Sequence, residues 1–285
     1  MNNSDIVEIN KVSSKFPSVL LEIANCPKVL YCRGNLDLLK EKNLVSIVGA
    51  RKASEYGLRC TRKIARQIAE QGVVVVSGLA LGIDAQAHRG ALEAHGKTIA
   101  VLGTAIDCLY PRTNEQLALS ILERGGLIIS EYPKGSPYNI YNFPLRNRII
   151  AGLSRVTLVT EAAEKSGSLI TACLAAEYNR EVFAVPADID KITNTGTNEL
   201  IKKGASVLTS ANDILDIFGP VSKPKLVDLD RDELLVIDQI SAGACEFDKI
   251  LKTLKVSSAQ LNVVLMKLEL KNLIARSIDG SFYKI

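Results

Sequence analysis

The chain has 285 residues, 47% of them hydrophobic, and a formal net charge of +4 from 35 Lys and Arg against 31 Asp and Glu. That length and apolar content suffice for one large domain plus a small one and exclude a disordered chain. The mild charge admits a nucleic-acid partner only through a local patch, and two histidines with six cysteines that include no CxxC pair leave no ligand set at zinc-site spacing.

The opening residues, MNNSDIVEINKVSSKF, lack the apolar segment of a signal peptide, and no run approaches the ~20 apolar residues that span a bilayer. A soluble, cytoplasmic protein with no membrane partner is expected, and residues 1–43 read as a short N-terminal extension. Cys60 and Cys173, set among apolar neighbours in helical patterns, read as small hydrophobes.

From 44 to 218, short β-branched runs alternate with helical patterns, which predicts an α/β domain with a Rossmann-like parallel sheet covered by helices on both faces. The strands are LVSIV (44–48), VVVV (73–76), TIAVL (98–102), LII (127–129), VTLVT (156–160), VFAV (182–185) and SVL (206–208). Gly72, Gly96, Gly125 and Gly204 stand where helices should stop in a left-handed conformation. In such sheets ligands lie beyond the carboxyl ends of the strands, so the loops after each strand are the segments to search.

The first loop, GARKASEYG (49–57), lacks GxGxxG, and no GxxxxGK[ST] occurs anywhere, so neither a dinucleotide nor a P-loop phosphate is indicated. It offers Gly49 for close backbone approach and Arg51, which reads either as an anion ligand or as a surface arginine on a tight turn. The second, SGLALGIDAQAH (77–88), holds Ser77, Asp84 and His88, but no G-x-S-x-G elbow surrounds the serine, and an Asp one turn from a His is usually a helix-stabilising pair.

The segment SEYPKGSPYNIYNFPLRNR (130–148) interleaves four aromatics and three prolines with Lys134, Arg146 and Arg148. Aromatic faces stack bases and arginines hold phosphates, which is how proteins grip single strands. Arg146 and Arg148 stand at the start of a helix, where the macrodipole already places positive charge, so an anion is expected there. Phe143 reads as a base platform or as cover for the core. In EKSGSLITA (164–172), Ser166, Gly167 and Ser168 precede an apolar helix and offer an anion cradle, or one serine is simply the N-cap.

Residues 219–230, GPVSKPKLVDLD, read as a linker. Beyond it, three short helices (232–240, 246–254, 257–271) and two strands around an Asp-Gly turn predict a winged helix over 231–285. Its balanced charge, ten basic against nine acidic residues from 220 onward, and an apolar stripe of Val263, Met266 and Leu270 point to protein contacts instead of a DNA groove.

Several blocks, SIVGARKASEYG, VVSGLALGIDAQAHRGAL, GKTIAVLGTAIDCLYP, LIISEYP, FPLRNRIIAGLS, SGSLITACLAAEYNREVFAVP and GTNELIKKGA, together resemble the DprA/Smf family of DNA-processing proteins. The resemblance runs over about 27–218. It implies an extended Rossmann-like domain that binds single-stranded DNA, forms a homodimer and helps load the RecA recombinase during natural transformation, with no catalysis and no cofactor. On matching positions the pocket comprises Arg51, Phe143, Arg146, Asn147 and Arg148, with Ser166, Gly167 and Ser168 nearby. The rival reading is a nucleotide-processing enzyme of the phosphoribohydrolase type, for which Glu131 or Glu161 would supply the acid or base.

Overall fold

The computed structural model describes residues 6–219, 230–241, 246–254, 256–270, 273–277 and 280–284, which fall into two compact units, Met1–Lys223 and Pro224–Ile285. All but the two ends of the expected linker lie outside the described residues.

The first unit is built on one nine-stranded sheet. Two strands join it that the sequence reading left in an extension: β1 (Val7–Asn10) and β2 (Val29–Gly34), paired antiparallel with each other. The seven expected strands follow as β3 (Leu44–Val48), β4 (Val74–Ser77), β5 (Thr98–Ala105), β6 (Leu127–Tyr132), β7 (Val156–Val159), β8 (Glu181–Ala184) and β9 (Ser206–Val207). They run parallel, and β2 meets β6 antiparallel, giving the order β1-β2-β6-β5-β4-β3-β7-β8-β9.

The helices are α1 (Ser18–Leu21), α2 (Glu55–Glu70), α3 (Ile83–Glu93), α4 (Glu115–Glu123), α5 (Asn142–Leu153), α6 (Gly167–Glu177), α7 (Thr195–Lys202) and α8 (Asn212–Phe218). Every residue of β3 is buried, because alternate side chains enter different cores. Val45 and Ile47 cluster with Ile64 and Ile68 of α2 and Ile83 of α3, whereas Leu44 and Val48 cluster with Ile149, Ile150 and Leu153 of α5. Helices therefore cover both faces of an α/β sheet. Ser46 on β3 donates to the Ile150 carbonyl at 2.7 Å and lies 2.8 Å from the Ser154 hydroxyl, tying the end of α5 to the central strand.

The chain builds β3 to β6 outward in one direction, returns through α5 and starts again with β7 on the other side of β3. The loops after β3 and β7 therefore diverge, and a crevice opens at their carboxyl ends.

Two helix endings differ from expectation. Gly72, Gly125 and Gly204 have positive φ, but after α3 the left-handed residue is His95 (φ 53°) and not Gly96. Gly96 is needed for another reason: a Cβ there would stand 2.6 Å from Ala69 Cβ. Cys173 lies within α6 as expected but is exposed, while Cys32 on β2 is buried and its thiol is pushed up to about 12 by burial.

The second unit contains α9 (Arg231–Ser241), α10 (Phe247–Leu254), α11 (Ser258–Leu270) and the antiparallel pair β10 (Ile274–Arg276) and β11 (Phe282–Lys284), a winged helix. Leu261, Val264, Leu265 and Leu268 of α11 enter its core, and Val263, Met266 and Leu270 are exposed. Asp279 of the expected Asp-Gly turn lies outside the described residues.

The α2–α3 contact carries a stability prediction. A Cβ on Gly90 would collide with the backbone carbonyl of Arg62, which cannot swing away. Gly90→Ala is expected to cost about 1–3 kcal/mol and to lower the melting temperature by several degrees in a thermal denaturation of the purified chain.

Candidate nucleic-acid interface

The crevice is a cleft of about 580 Å³ between the loop after β3, the loop after β7 and one side of α5. Arg51, Lys52, Arg146 and Lys165 line it against a single carboxylate, Asp84. The β3 loop is fixed by its backbone: Ala50 donates to the Glu161 carbonyl at 2.7 Å, Ile83 donates to the Ala50 carbonyl at 3.2 Å, and a Cβ on Gly49 would press on Ile83 at 2.6 Å.

Arg51 emerges from this loop exposed, with its guanidinium carbon 5.9 Å from the centroid of the Phe143 ring. Phe143 is half-buried. Gly103 gives it room on one side, since a Cβ there would stand 2.8 Å from the ring, and Tyr110 and Tyr138 stand around it at centroid distances of 5.5 and 5.8 Å. Both tyrosines are exposed, so three aromatic rings mark the mouth of the cleft.

Arg146 forms the floor. Its side chain is buried, and its Nη1 donates to the carbonyls of Gly78, at 2.8 Å, and Val101. Gly78 must lack a side chain, because a Cβ would lie 2.5 Å from Nη1. Burial draws the guanidinium down to about 10, the Asp84 carboxylate works against this, and Arg51 adds to it, so Arg146 remains a cation at neutral pH. Asp84 is also buried, and burial pushes its carboxyl above the usual range against the attraction of Arg146 and of the Ala80 and Gly78 N–H groups.

On the other wall, Ser166 is the N-cap of α6, its Oγ accepting from Ser168 N at 3.4 Å and standing 2.8 Å from Ser168 Oγ. Ser168 is buried, so the exposed Gly167 presents its backbone at the helix N-terminus, with nothing near the place a Cβ would take. Asn147 on α5 donates to the Gly167 carbonyl at 3.2 Å and joins the two walls.

Seven of the eight expected residues thus meet in one cleft, and Arg148 does not. Residues two apart on a helix point about 200° from each other, so α5 can aim only one of Arg146 and Arg148 inward. Arg148 turns to the opposite side, where Nε donates to the Asn25 carbonyl, Nη1 to the Leu145 carbonyl, and Nη2 to both oxygens of Glu131 at 2.6 and 2.7 Å. The anion that faces Arg148 in the structure is the protein's own Glu131 carboxylate, outside the cleft. Lys52 and Lys165 of the cleft, and Tyr110 and Tyr138 at its mouth, were not singled out as site residues, although each lysine adjoins one that was.

The groups named for catalysis are engaged elsewhere. Glu161 accepts from the backbone N–H of Ser54 at 2.9 Å and from its hydroxyl at 2.6 Å, holding the start of α2, and Glu131 holds Arg148. Ser77 donates to the Ile47 carbonyl. His88 faces Thr98 Oγ1 at 2.7 Å; since that hydroxyl donates to the Val75 carbonyl, His88 Nδ1 carries the proton, and its buried Nε2 has no partner.

A nine-stranded α/β sheet with a cationic, aromatic-rimmed cleft at its switch point, followed by a winged helix, defines the class of protein. The family described as DNA recombination-mediator protein A matches residues 8–219, and the DprA winged helix domain matches 220–280. The chain belongs to the DprA/Smf family of DNA-processing proteins. It is 48% identical over 209 residues to protein Smf of Synechocystis, covering 72% of this chain and 52% of that protein. It is 45% identical over 204 residues to protein Smf of Escherichia coli, covering 72% and 54%. The chain thus spans about half the length of these two relatives. The crystal structure of DNA processing protein A from Streptococcus pneumoniae superposes with a TM-score of 0.70 at 42% identity, covering 75% of this chain and 74% of that one. DNA processing protein A from Helicobacter pylori, described for its single-stranded DNA binding mode, superposes at 0.69 with 33% identity, covering 76% and 97%.

Two outcomes follow from these placements. Arg148→Ala is expected to cost about 1–3 kcal/mol of folding stability in urea denaturation, because it leaves Glu131 half-buried and unpaired, while changing oligonucleotide affinity less than twofold. His88 supplies a pH dependence: burial first, and then Arg146, lower it from 6.5 to about 3. The unfolded chain takes up a proton below about pH 6.5 that the folded chain refuses until about pH 3, so this group withdraws roughly 1.4 kcal/mol of stability per pH unit in that window. Comparing His88→Gln with the native chain at pH 7.5 and pH 5, the native chain should lose more stability on acidification.

Proposed function

We propose that this chain binds single-stranded DNA in the cleft between α5 and the loops after β3 and β7. In the proposed mode Arg51 neutralises phosphate, Phe143 offers its ring to a base, and Ser166, Gly167, Ser168 and Asn147 receive backbone oxygens at the start of α6. Arg146 acts from beneath, as a fixed positive charge that does not leave its carbonyl partners.

The observation that carries this reading is the pairing of four cations against one carboxylate with an aromatic mouth. Cations hold the strand without regard to sequence, and stacking admits any base. The relative from Helicobacter pylori, described for its single-stranded DNA binding mode, supports the same partner. The wider role we infer is the one the family implies: a homodimer in the cytoplasm that protects incoming DNA and helps load RecA during natural transformation, acting without a cofactor or a catalytic step.

The test is fluorescence anisotropy with labelled single- and double-stranded oligonucleotides over a range of salt concentrations. Single strands should bind more tightly than duplex of the same sequence. Phe143→Ala should cost about 1–3 kcal/mol of binding, and Arg51→Gln should reduce the salt slope by about 0.7. Equal affinity for duplex, or a Phe143→Ala chain that loses stability and no affinity, overturns the reading.

A further inference from the structure

The cleft does not end at Arg51 and Lys52. These two residues also border a second trough, about 410 Å³, between the start of α2 and the outer side of α3, whose other charged group is Arg89. That trough shares Leu58 and Gln86 with a third, about 630 Å³, along α2, lined by Arg59, Arg62, Lys63 and Arg66. The three run into one another through shared walls, forming a single path away from the cleft.

The path is built into the packing. Gly82 comes so close to the Ala50 and Arg51 carbonyls, and Gly90 to the Arg62 carbonyl, that neither tolerates a Cβ, so α2 and α3 hold the trough at fixed width. The cations at 59, 62, 63 and 66 fall at i, i+3, i+4 and i+7, one face of a helix, spanning about 10 Å. Two of them are already paired, Arg62 with Glu93 and Arg66 with Glu70. Arg59, Lys63 and Arg89 form no hydrogen bond or ion pair among the described residues, and Glu55 is the one carboxylate on the path that neither arginine neutralises. Leu81, exposed at the head of the trough, gives it an apolar wall.

The geometry points to an extended single-strand track: the sugar-phosphate backbone of a strand held in the cleft leaves past Arg51 and Lys52, follows the trough beside Arg89 and continues along α2 over Arg59 and Lys63. The inference rests on the single-strand reading of the cleft and adds a second, length-dependent binding segment to it. Three unpaired cations in line with the cleft suit a polyanion that already occupies it, and the absence of an aromatic ring from the two outer troughs makes this segment a reader of backbone only.

The experiment uses the full chain and two oligothymidylates, about six and about twenty nucleotides long, across a salt series. Its variants are Arg89→Gln and the pair Arg59→Gln with Lys63→Gln. These residues are surface-facing and lie outside the cleft, and circular dichroism melts verify that each variant is folded. The native chain should bind the long oligomer more tightly and with a steeper salt slope. Each removed charge should weaken the long oligomer about fivefold at 0.1 M salt and reduce its slope by about 0.7, leaving the short oligomer unchanged. Equal losses for both lengths, or no loss for the long one, overturn the track and leave the cleft reading standing. A native chain that binds neither oligomer overturns the cleft reading and the track with it. If oligoglutamate displaces only the extra affinity of the long oligomer, at equal charge concentration, the trough belongs to an acidic protein segment and the track is overturned.

Discussion

The structure depends on one buried cation. Arg146 reaches from α5 over the carboxyl end of β4 to the middle of β5, and its guanidinium holds the carbonyls of Gly78 and Val101. Taking such a group out of water costs several kcal/mol unless its protons find partners and its charge finds a counter-charge. Two carbonyls accept from Nη1 and the Asp84 carboxylate supplies the counter-charge, while the buried Nε has no hydrogen-bond partner; Asp84 is in turn held by the N–H groups of Gly78 and Ala80. The same interaction that locks α5 to the sheet places positive charge under the cleft, so the electrostatics of the site and the packing of the fold are one feature. The expected burial cost appears in the downward displacement of Arg146 and the upward displacement of Asp84.

This arrangement explains what the sequence disclosed and what it concealed. Two arginines near a helix N-terminus demand negative charge, and that inference from the macrodipole stands. Charge spacing does not say where the negative charge comes from. Here the chain supplies it twice, Asp84 from the first turn of α3 for Arg146 and Glu131 from β6 for Arg148. The helical period did carry one further fact, that residues 146 and 148 point opposite ways.

The central strands were legible because each is a β-branched run buried on both faces, the pattern a parallel strand requires. β1 and β2 were not. In β1 only Ile9 is buried, and β2 mixes Cys32, Arg33 and Gly34 into its length, so neither shows the apolar run of a central strand. They join by antiparallel pairing at an edge, where one covered side chain per turn of the pleat is enough. Helix endings were read from glycine alone, which misplaced the one after α3: His95 takes the left-handed conformation, and Gly96 is reserved for contact with Ala69.

The glycines around the cleft have a common purpose that no phosphate-binding fingerprint describes. Gly49 clears Ile83, Gly78 clears the Arg146 guanidinium, and Gly103 clears the Phe143 ring. None of the three has a positive φ, so what is used is the missing side chain and not the freedom of the backbone. Each lets a large group of α3 or α5 press directly on a strand end, which fixes the floor before any ligand arrives. The rim is the opposite: Arg51, Lys52 and Lys165 are exposed on long side chains, so their charges can adjust where the floor cannot. A rigid floor of fixed charge beneath a compliant rim is the arrangement that the proposed sequence-neutral grip on a polyanion requires, because neither part is built to read base edges.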